Sequence, residues 1–254
     1  MRPVRSRFRR VGGFTLVELL VVISIVGLLA ALSIPAISSA VRKANQVKSA
    51  GHLRQIGAAM LAYASEHGGY LPPSKGQLSD GTSFNPGMWW WSVHLLPFTG
   101  RNVRIFDRPG LSKQWNDPTA ADPVTGRQFR LGYWINGGNS NNIAFPHGPA
   151  FSSFTDSGKN YLPLTAFPKP SRTVAIIDGI GGAEINGWNP DTRDKFTTGE
   201  NSKFHRWSNE KVDANGLNTQ GQPPKGSFNV LWLDGHVSLE NSSSLKTEDF
   251  LREK

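Results

Sequence analysis

The chain has 254 residues and carries 28 Lys and Arg against 19 Asp and Glu, a formal net charge of +9. Apolar residues make up 38% and charged residues 19%, which is typical of a folded chain, and the 27 Gly and 17 Pro favour short strands and turns over a helical bundle. The absence of cysteine excludes a disulfide framework, a thiolate zinc site, an iron–sulfur cluster and a cysteine nucleophile.

The basic excess is concentrated at the N-terminus. Residues 1–13 contain five arginines and no acidic residue, whereas the remaining chain has 23 basic and 19 acidic residues. A nucleic-acid binder would carry its charge on the folded body, so this distribution predicts no nucleic-acid partner. A short basic tail in front of an apolar segment instead indicates membrane topology.

That apolar segment, residues 14–34, contains a single charge, Glu18. As a helix it would be about 31 Å long, close to the hydrocarbon thickness of a bilayer, about 30 Å. Basic residues favour the cytoplasmic side, which predicts a single span with the N-terminus in the cytoplasm and the rest of the chain outside.

Three interpretations of this segment compete. A secretory signal would be cut after Ser38-Ser39-Ala40, and a signal anchor would not be cut at all. The third rests on residues 12–18, GGFTLVE, where the basic tail meets the apolar run. They resemble the class III leader of type IV pilins and type II secretion pseudopilins, and this is the interpretation that we favour. The resemblance implies that a prepilin peptidase cuts between Gly13 and Phe14 and methylates the new amino terminus.

Glu18 and Pro35 are the unusual residues of the span. An acidic group costs about 2.5–3.5 kcal/mol at the centre of a membrane and less near its edge, and it is retained where it finds a partner. Glu18 could reach the headgroups or be protonated, but the resemblance implies that it meets the Phe14 ammonium of a neighbouring subunit during assembly. Pro35, at the outer end, predicts a helix kink and a freed carbonyl.

The helix is expected to continue beyond the membrane as an amphipathic segment. Residues 38–67 contain no helix breaker. Apolar residues recur there at intervals of three and four, at Leu53, Ile56, Met60 and Tyr63. Gly68-Gly69 and Pro72-Pro73 end the pattern. One helix over residues 14–67 is therefore predicted, with a membrane half and an amphipathic half.

Residues 68–254 are predicted to form one β-rich head. The predicted strands are Trp89–Leu96, Val103–Phe106, Phe129–Ile135, Thr173–Ile177, Phe228–Leu233 and His236–Leu239. Asp234-Gly235 predicts a type I′ hairpin turn. Residues 136–142, 186–196 and 208–227 are interpreted as loops. The fold class is therefore α+β, a pilin-like lollipop whose long N-terminal helix packs with its apolar stripe on an antiparallel sheet.

A second resemblance covers much of this region. The chain is similar to a pseudopilin-like family of planctomycetes and related bacteria, whose C-terminal domain is named for a His, nine residues and Asp-Gly. The similarity lies in residues 53–57, 63–64, 69–73, 91–97, 108–109, 132–137, 170–178 and 229–237. Two features depart from it. His205 precedes Asp234 by 28 intervening residues, and Ser49 and Arg108 occupy positions near which relatives often carry cysteine.

The sequence lacks the signatures of common enzymes and metal sites. It has no G-x-S-x-G, H-E-x-x-H or phosphate-binding loop, so no catalytic activity is expected. His205, Asp178, Asp234 and His236 could converge on a metal, but Asp178 and Asp234 each precede Gly and are interpreted as turn residues. The helix residues His52 and His67 are interpreted as surface residues.

No cofactor is expected, although calcium stays an open alternative. Major pseudopilins hold a calcium ion in a C-terminal loop, and this chain offers two pairs of oxygen ligands of the right kind. These pairs are Asp191 with Asp194, and Asp213 with Asn215. We interpret both pairs as solvated loop residues.

The eight tryptophans raise a competing function. Flat aromatic faces suit a glycan or a protein partner, so the head could be a membrane-anchored binding module that does not polymerise. Strand alternation instead buries Trp89 and Trp91 in the core and exposes Trp90.

The resemblance therefore implies a structural filament subunit with its head in the bacterial periplasm. Its expected partners are the prepilin peptidase, sibling pilins, the inner membrane and an assembly platform with a cytoplasmic ATPase.

Overall fold

The computed structural model describes residues 15–76, 89–110, 119–138, 151–152, 163–179, 184–186, 227–241, 245 and 249. The chain divides into two compact units, Met1–Val41 and Arg42–Lys254. The secondary structure is one long helix followed by short strands and helical turns, which confirms the predicted α+β class.

Helix α1 covers Leu16–Glu66, in agreement with the predicted helix over residues 14–67. Pro35 lies inside it and the helix continues on both sides, while the predicted kink stays a prediction. Serine hydroxyls bond back to backbone carbonyls along the apolar stretch, for example Ser24 to Leu20 at 2.8 Å and Ser33 to Leu29 at 2.7 Å. These bonds satisfy hydroxyls that an apolar environment would otherwise leave without partners.

Among the residues that the structure describes, the second unit contains the strands, a short helix and 3₁₀ turns. The strands are β1 Lys75–Gly76, β2 Trp89–Trp90, β3 Thr119–Ala121, β4 Gln128–Arg130, β5 Tyr133–Gly138, β6 Phe151–Ser152, β7 Val174–Asp178, β8 Glu184–Asn186, β9 Ser227–Trp232 and β10 Val237–Asn241. Helix α2 is Trp91–Leu95, and the 3₁₀ turns are Leu96–Thr99, Val103–Phe106, Leu164–Ala166 and Pro170–Arg172.

The main sheet has the order β10-β9-β7-β5-β6, with β8 also paired to β5. Its central pairs are antiparallel, as predicted. Strands β6 and β8 run parallel to β5, which the sequence did not predict. Two further pairs, β1-β2 and β3-β4, are antiparallel.

Three of the six predicted strands are confirmed, as β7, β9 and β10. The predictions of strands over Trp89–Leu96 and Val103–Phe106 are wrong, because most of the first segment is α2 and the second is a 3₁₀ turn. Residues 91–96 are buried at every position, and a short run that is buried all round has no periodicity that distinguishes helix from strand. The predicted strand Phe129–Ile135 is divided at Leu131-Gly132 into β4 and β5.

The hairpin between β9 and β10 is confirmed, but its turn is not type I′. Gly235 has a φ of +90°, whereas Asp234 is not among the described residues with positive φ. Gly235 N donates to Trp232 O at 2.9 Å, and Trp232 N donates to His236 O at 3.0 Å. This is a three-residue loop in which a type I turn is followed by a glycine bulge, so only the glycine needs the left-handed conformation.

The apolar stripe of α1 packs on one face of the main sheet, as predicted. The core formed there includes Leu53, Ile56, Met60 and Tyr63 of α1 with Tyr133, Ile135, Ile176 and Leu231 of the sheet. The opposite face carries a second buried cluster, formed by Trp134, Val174, Ile177, Phe228, Val230, Trp232 and Leu245. Both faces of the sheet are therefore buried along the central strands β5, β7 and β9.

The C-terminal end of α1 lies against an aromatic cluster that contains a buried histidine. His67 stacks on Tyr63 with ring centroids 3.8 Å apart, and its Nδ1 lies 2.8 Å from Tyr63 O. His94 lies edge-on to Tyr63 and is only 8% exposed. Burial, and secondarily the nearby His67, lowers the pKa of His94 to about 4.

We expect the stability of the folded head to fall between pH 7 and pH 5 because of His94. Its folded-state pKa of about 4 lies below the ordinary value of 6.5, so the unfolded chain takes up a proton first. Protonation of the unfolded chain at this residue lowers the free energy of unfolding by about 2 kcal/mol between pH 7 and pH 5. Unfolding of the wild type and of His94→Gln, followed by tryptophan fluorescence at both pH values, tests this. If the wild type and His94→Gln lose the same stability between pH 7 and pH 5, His94 is not the group that causes the loss.

Candidate functional site

The predicted cleavage site, Gly13 and Phe14, lies outside the described residues, which begin at Thr15. Thr15 and Glu18 form a capping box at the start of α1. Thr15 N and Thr15 Oγ1 each donate to Glu18 Oε2 at 2.8 Å, and Glu18 N donates to Thr15 Oγ1 at 3.2 Å. Glu18 therefore closes the first turn of its own helix, a role that the sequence analysis missed although Thr-x-x-Glu is its signature.

The stretch of α1 that follows is apolar and uncovered. Every large apolar side chain from Leu16 to Val41 is at least 48% exposed. The helix is long and apolar enough to cross a membrane, and none of its most apolar window is buried in the structure. Exposure of so many large apolar side chains is stable only in lipid or against another apolar surface. The single predicted span therefore agrees with the structure.

The amphipathic half of α1 contributes to a buried polar cluster centred on Asp178, at the end of β7. The Asp178 side chain is fully buried. Its Oδ1 accepts from Ser49 Oγ at 2.5 Å and lies 3.7 Å from Arg108 Nε. Its Oδ2 accepts from the backbone N and the Nδ2 of Asn229, at 2.8 and 2.9 Å. Both carboxylate oxygens thus face donors, as an ionised carboxylate requires.

A chain of hydroxyl groups extends this cluster toward His52. Ser49 Oγ lies 3.1 Å from Tyr133 Oη, and Tyr133 Oη lies 3.4 Å from His52 Nδ1. The Ser49 hydroxyl has one proton and directs it at Asp178, so Tyr133 donates to Ser49. The donor in the contact between Tyr133 and His52 depends on the tautomer of the imidazole ring. His52 is half-buried, which corrects its interpretation as a plain surface residue.

Burial shifts the pKa values of the groups around Asp178. It lowers the pKa of Arg108, against the opposing effects of Asp178 and Tyr133. Burial, followed by the charge of Asp178, raises the pKa of Tyr133. The pKa of His52 is lowered by burial and then by Lys48, while Asp107 and Asp178 oppose this. A raised pKa keeps Tyr133 neutral near pH 7, and a lowered pKa does the same for His52.

This cluster joins α1 to the sheet. Besides Ser49, Gln46 takes part, because its backbone O accepts from Asn229 Nδ2 at 3.0 Å and its Nε2 donates to Ser227 Oγ at 3.3 Å. The interpretation of Asp178 as a turn residue is therefore wrong. Ser49 and Arg108, two of the positions at which the chain departs from the family resemblance, both approach the same oxygen of Asp178.

A second contact brings together two segments that carry the resemblance to the planctomycete-type family. A Cβ atom on Gly57 of α1 would lie 2.7 Å from Leu231 Cδ1 and 3.4 Å from Gly235 O. A Cβ atom on Gly235 would lie 3.0 Å from Leu61 Cδ1. The Asp-Gly turn therefore packs closely on the helix at Gly57, which gives this turn a structural role in holding α1.

The metal sites considered from the sequence do not assemble among the described residues. No group of three or more His, Asp and Glu in that part of the chain is placed to hold a metal ion. Asp178 lies in the buried cluster, whereas Asp234 and His236 pair with each other at the hairpin, 2.5 Å apart. His205 and the calcium candidates Asp191, Asp194, Asp213 and Asn215 lie outside the described residues.

The tryptophans with described side chains belong to the core. Trp91, Trp134 and Trp232 are at most 9% exposed, and Trp91 is fully buried as expected. The side chains of Trp89 and Trp90 lie outside the described part of the chain. Trp91, Trp134 and Trp232 therefore offer no flat aromatic surface to a glycan.

Two protein families match separate parts of the chain. Residues 8–34 match the prokaryotic N-terminal methylation motif, and residues 40–131 match a family described as a protein of unknown function (DUF1559). No curated protein and no solved structure matches the chain. The first match contains the predicted cleavage site and most of the apolar stretch, and the second begins within the same helix. Together they support the recognition of this chain as a type IV pilin-like protein with a prepilin-type N-terminal segment.

Proposed function

We propose that the chain is a structural, non-enzymatic subunit of a type II secretion pseudopilus or type IV pilus-like filament. The observation that carries the proposal is the first half of α1, an uncovered apolar helix with an acidic residue in its first turn, which lies within the matched prepilin-type motif up to residue 34. In this function the subunit is first anchored in the inner membrane with its head in the periplasm. During assembly its apolar helix leaves the lipid and packs against the helices of sibling subunits.

The proposed partners act while the subunit is in the membrane and when it enters the filament. A prepilin peptidase cuts between Gly13 and Phe14, which frees a positively charged amino group four residues before Glu18. Inside lipid or a helix bundle, this ammonium is a suitable partner for the Glu18 carboxylate of a neighbouring copy. An inner-membrane platform with a cytoplasmic ATPase supplies the work of extraction, and the chain itself needs no cofactor.

The test is expression of the full chain in a host with a prepilin peptidase and a pilin assembly system. We expect an intact mass that starts at Phe14 with one added methyl group, and crosslinks between α1 helices of different copies. Glu18→Gln separates charge from capping, because Gln also serves in a capping box. This variant should be cut normally and fail to assemble, whereas Thr15→Val, which weakens the cap and keeps the charge, should assemble.

Four outcomes would contradict the proposal as a whole or the role that it gives to Glu18. A mature protein that begins after Ala40 indicates a secreted head, and one that retains the arginines indicates a signal anchor. Correct cutting without crosslinks between copies indicates the alternative, a membrane-anchored module that binds glycan or protein without polymerising. Normal assembly of Glu18→Gln would leave the capping box as the only role of this residue.

A further inference from the structure

The half of α1 that follows the apolar stretch is strongly basic. The sequence contains no acidic residue between Glu18 and Glu66, whereas it has four basic residues there. These are Arg42, Lys43, Lys48 and Arg54, of which the last three are exposed and the first is half-buried. The ion pairs found among the described residues involve other basic side chains. The described acidic residues therefore leave this positive segment without a partner within ion-pair distance.

Exposed apolar side chains alternate with these charges. Ile37, Val41 and Val47 are 61%, 53% and 60% exposed. The predicted span ends at residue 34, and Arg42 and Lys43 follow it by eight and nine residues, about 12–14 Å of helix rise, a distance that their long side chains shorten by bending back toward the membrane. The headgroup layer of a bilayer extends about 5–7 Å beyond each side of its hydrocarbon core. Helices that lie in this layer typically mix apolar side chains with Lys and Arg, whose stems bend toward the headgroups.

We propose that Arg42, Lys43 and Lys48 bind the phosphate groups of anionic lipids, in the leaflet at the C-terminal end of the membrane span. The proposal rests on the membrane anchor of the proposed function, and not on cleavage or polymerisation. Free subunits would gather anionic lipid around this segment and be held at a fixed depth. Incorporation into a filament would then require release of these lipids.

The expected effect depends on distance from the membrane. A basic residue next to an anionic surface strengthens association about fivefold, and the effect decays over a Debye length of about 8 Å in physiological salt. Lys48 and Arg54 follow residue 34, the end of the predicted span, by about 21 and 30 Å of helix rise. Among the three exposed residues, Lys43 should therefore contribute most, Lys48 less, and Arg54 close to nothing.

The experiment reconstitutes the full chain in phosphatidylcholine vesicles that contain phosphatidylglycerol. Spin-labelled forms of both lipids report by electron paramagnetic resonance how strongly each associates with the protein. Lys43→Gln should lower the preference for phosphatidylglycerol by up to about fivefold, and Lys48→Gln by a smaller factor. Arg54→Gln, and Arg104→Gln in an exposed part of the head, are matched controls that should leave it unchanged. The arginines of residues 1–13 are the same in every variant, so they do not affect the comparison.

Equal losses in Lys43→Gln and Arg54→Gln would overturn the proposal, because they would reflect net charge and not position. The proposal would also be overturned if the Lys43→Gln chain kept the wild-type preference for phosphatidylglycerol. Failure of the chain to insert even into pure phosphatidylcholine vesicles would contradict the membrane anchor, and therefore also the proposed function. Normal insertion without lipid preference would contradict the lipid proposal alone.

Discussion

Replacement of Asp178 by Asn should destabilise the folded head by about 3–5 kcal/mol, the loss that follows when one partner of a buried charge pair is removed. The neutral side chain no longer compensates the Arg108 guanidinium, which is fully buried. An Asn side chain also cannot satisfy the site in either orientation. Its amide nitrogen would face either Ser49 and Arg108 or the two donors of Asn229. Unfolding of the full chain by denaturant in detergent, followed by tryptophan fluorescence, measures the effect.

Three further variants separate the buried charge from a general effect of losing a carboxylate. Asp107→Asn removes a partly exposed ion pair to Arg130, 2.8 Å long, and should cost less than about 1 kcal/mol. Ser49→Ala removes one donor to Asp178 and should cost about 1–2 kcal/mol. The double variant Asp178→Asn/Arg108→Met should recover part of the loss, because no charge is left buried. Equal costs for Asp178→Asn and Asp107→Asn would contradict the central role of Asp178.

The features that were predicted correctly are those that local sequence encodes. An uninterrupted apolar run followed by a spacing of three and four defined α1 almost to the residue. Its end was also predictable, because Gly68 and Gly69 both adopt positive φ, and Gly69 N donates to Ala64 O at 2.7 Å. Strand alternation and the Asp234-Gly235 pair likewise predicted the hairpin.

The features that were missed depend on contacts between distant residues. Ser49 and Asp178 are 129 positions apart, and Asn229 is 51 positions from Asp178. Nothing in the residues next to Asp178 distinguishes a buried carboxylate from a turn residue, because its donors come from α1, β9 and the segment at Arg108. A carboxylate that directly follows the apolar run Val174–Ile177 was the available signal. In the same way, the burial of residues 91–96 from every side removed the periodicity that would have indicated α2.

Replacement of Gly132 by Ala should destabilise the head by about 3 kcal/mol or more, because backbone and not a flexible side chain occupies the space. A Cβ atom there would overlap Arg108 Cβ, and would lie 2.5 Å from Arg108 N and 2.9 Å from its Cα.

The segment at Gly132 is also held on both sides, because Gly132 N donates to Phe106 O at 2.9 Å and Gly132 O accepts from Gly179 N at 3.1 Å. Retreat from the overlap would break one of these bonds or displace Arg108 from Asp178. The matched control is Gly51→Ala in α1, where nothing lies within 4 Å of the new methyl group. This change should stabilise the helix by up to about 1 kcal/mol. Denaturant unfolding of both variants in detergent checks the opposite signs, and a Gly132→Ala chain as stable as the wild type would show that the close approach at Arg108 relaxes at no cost.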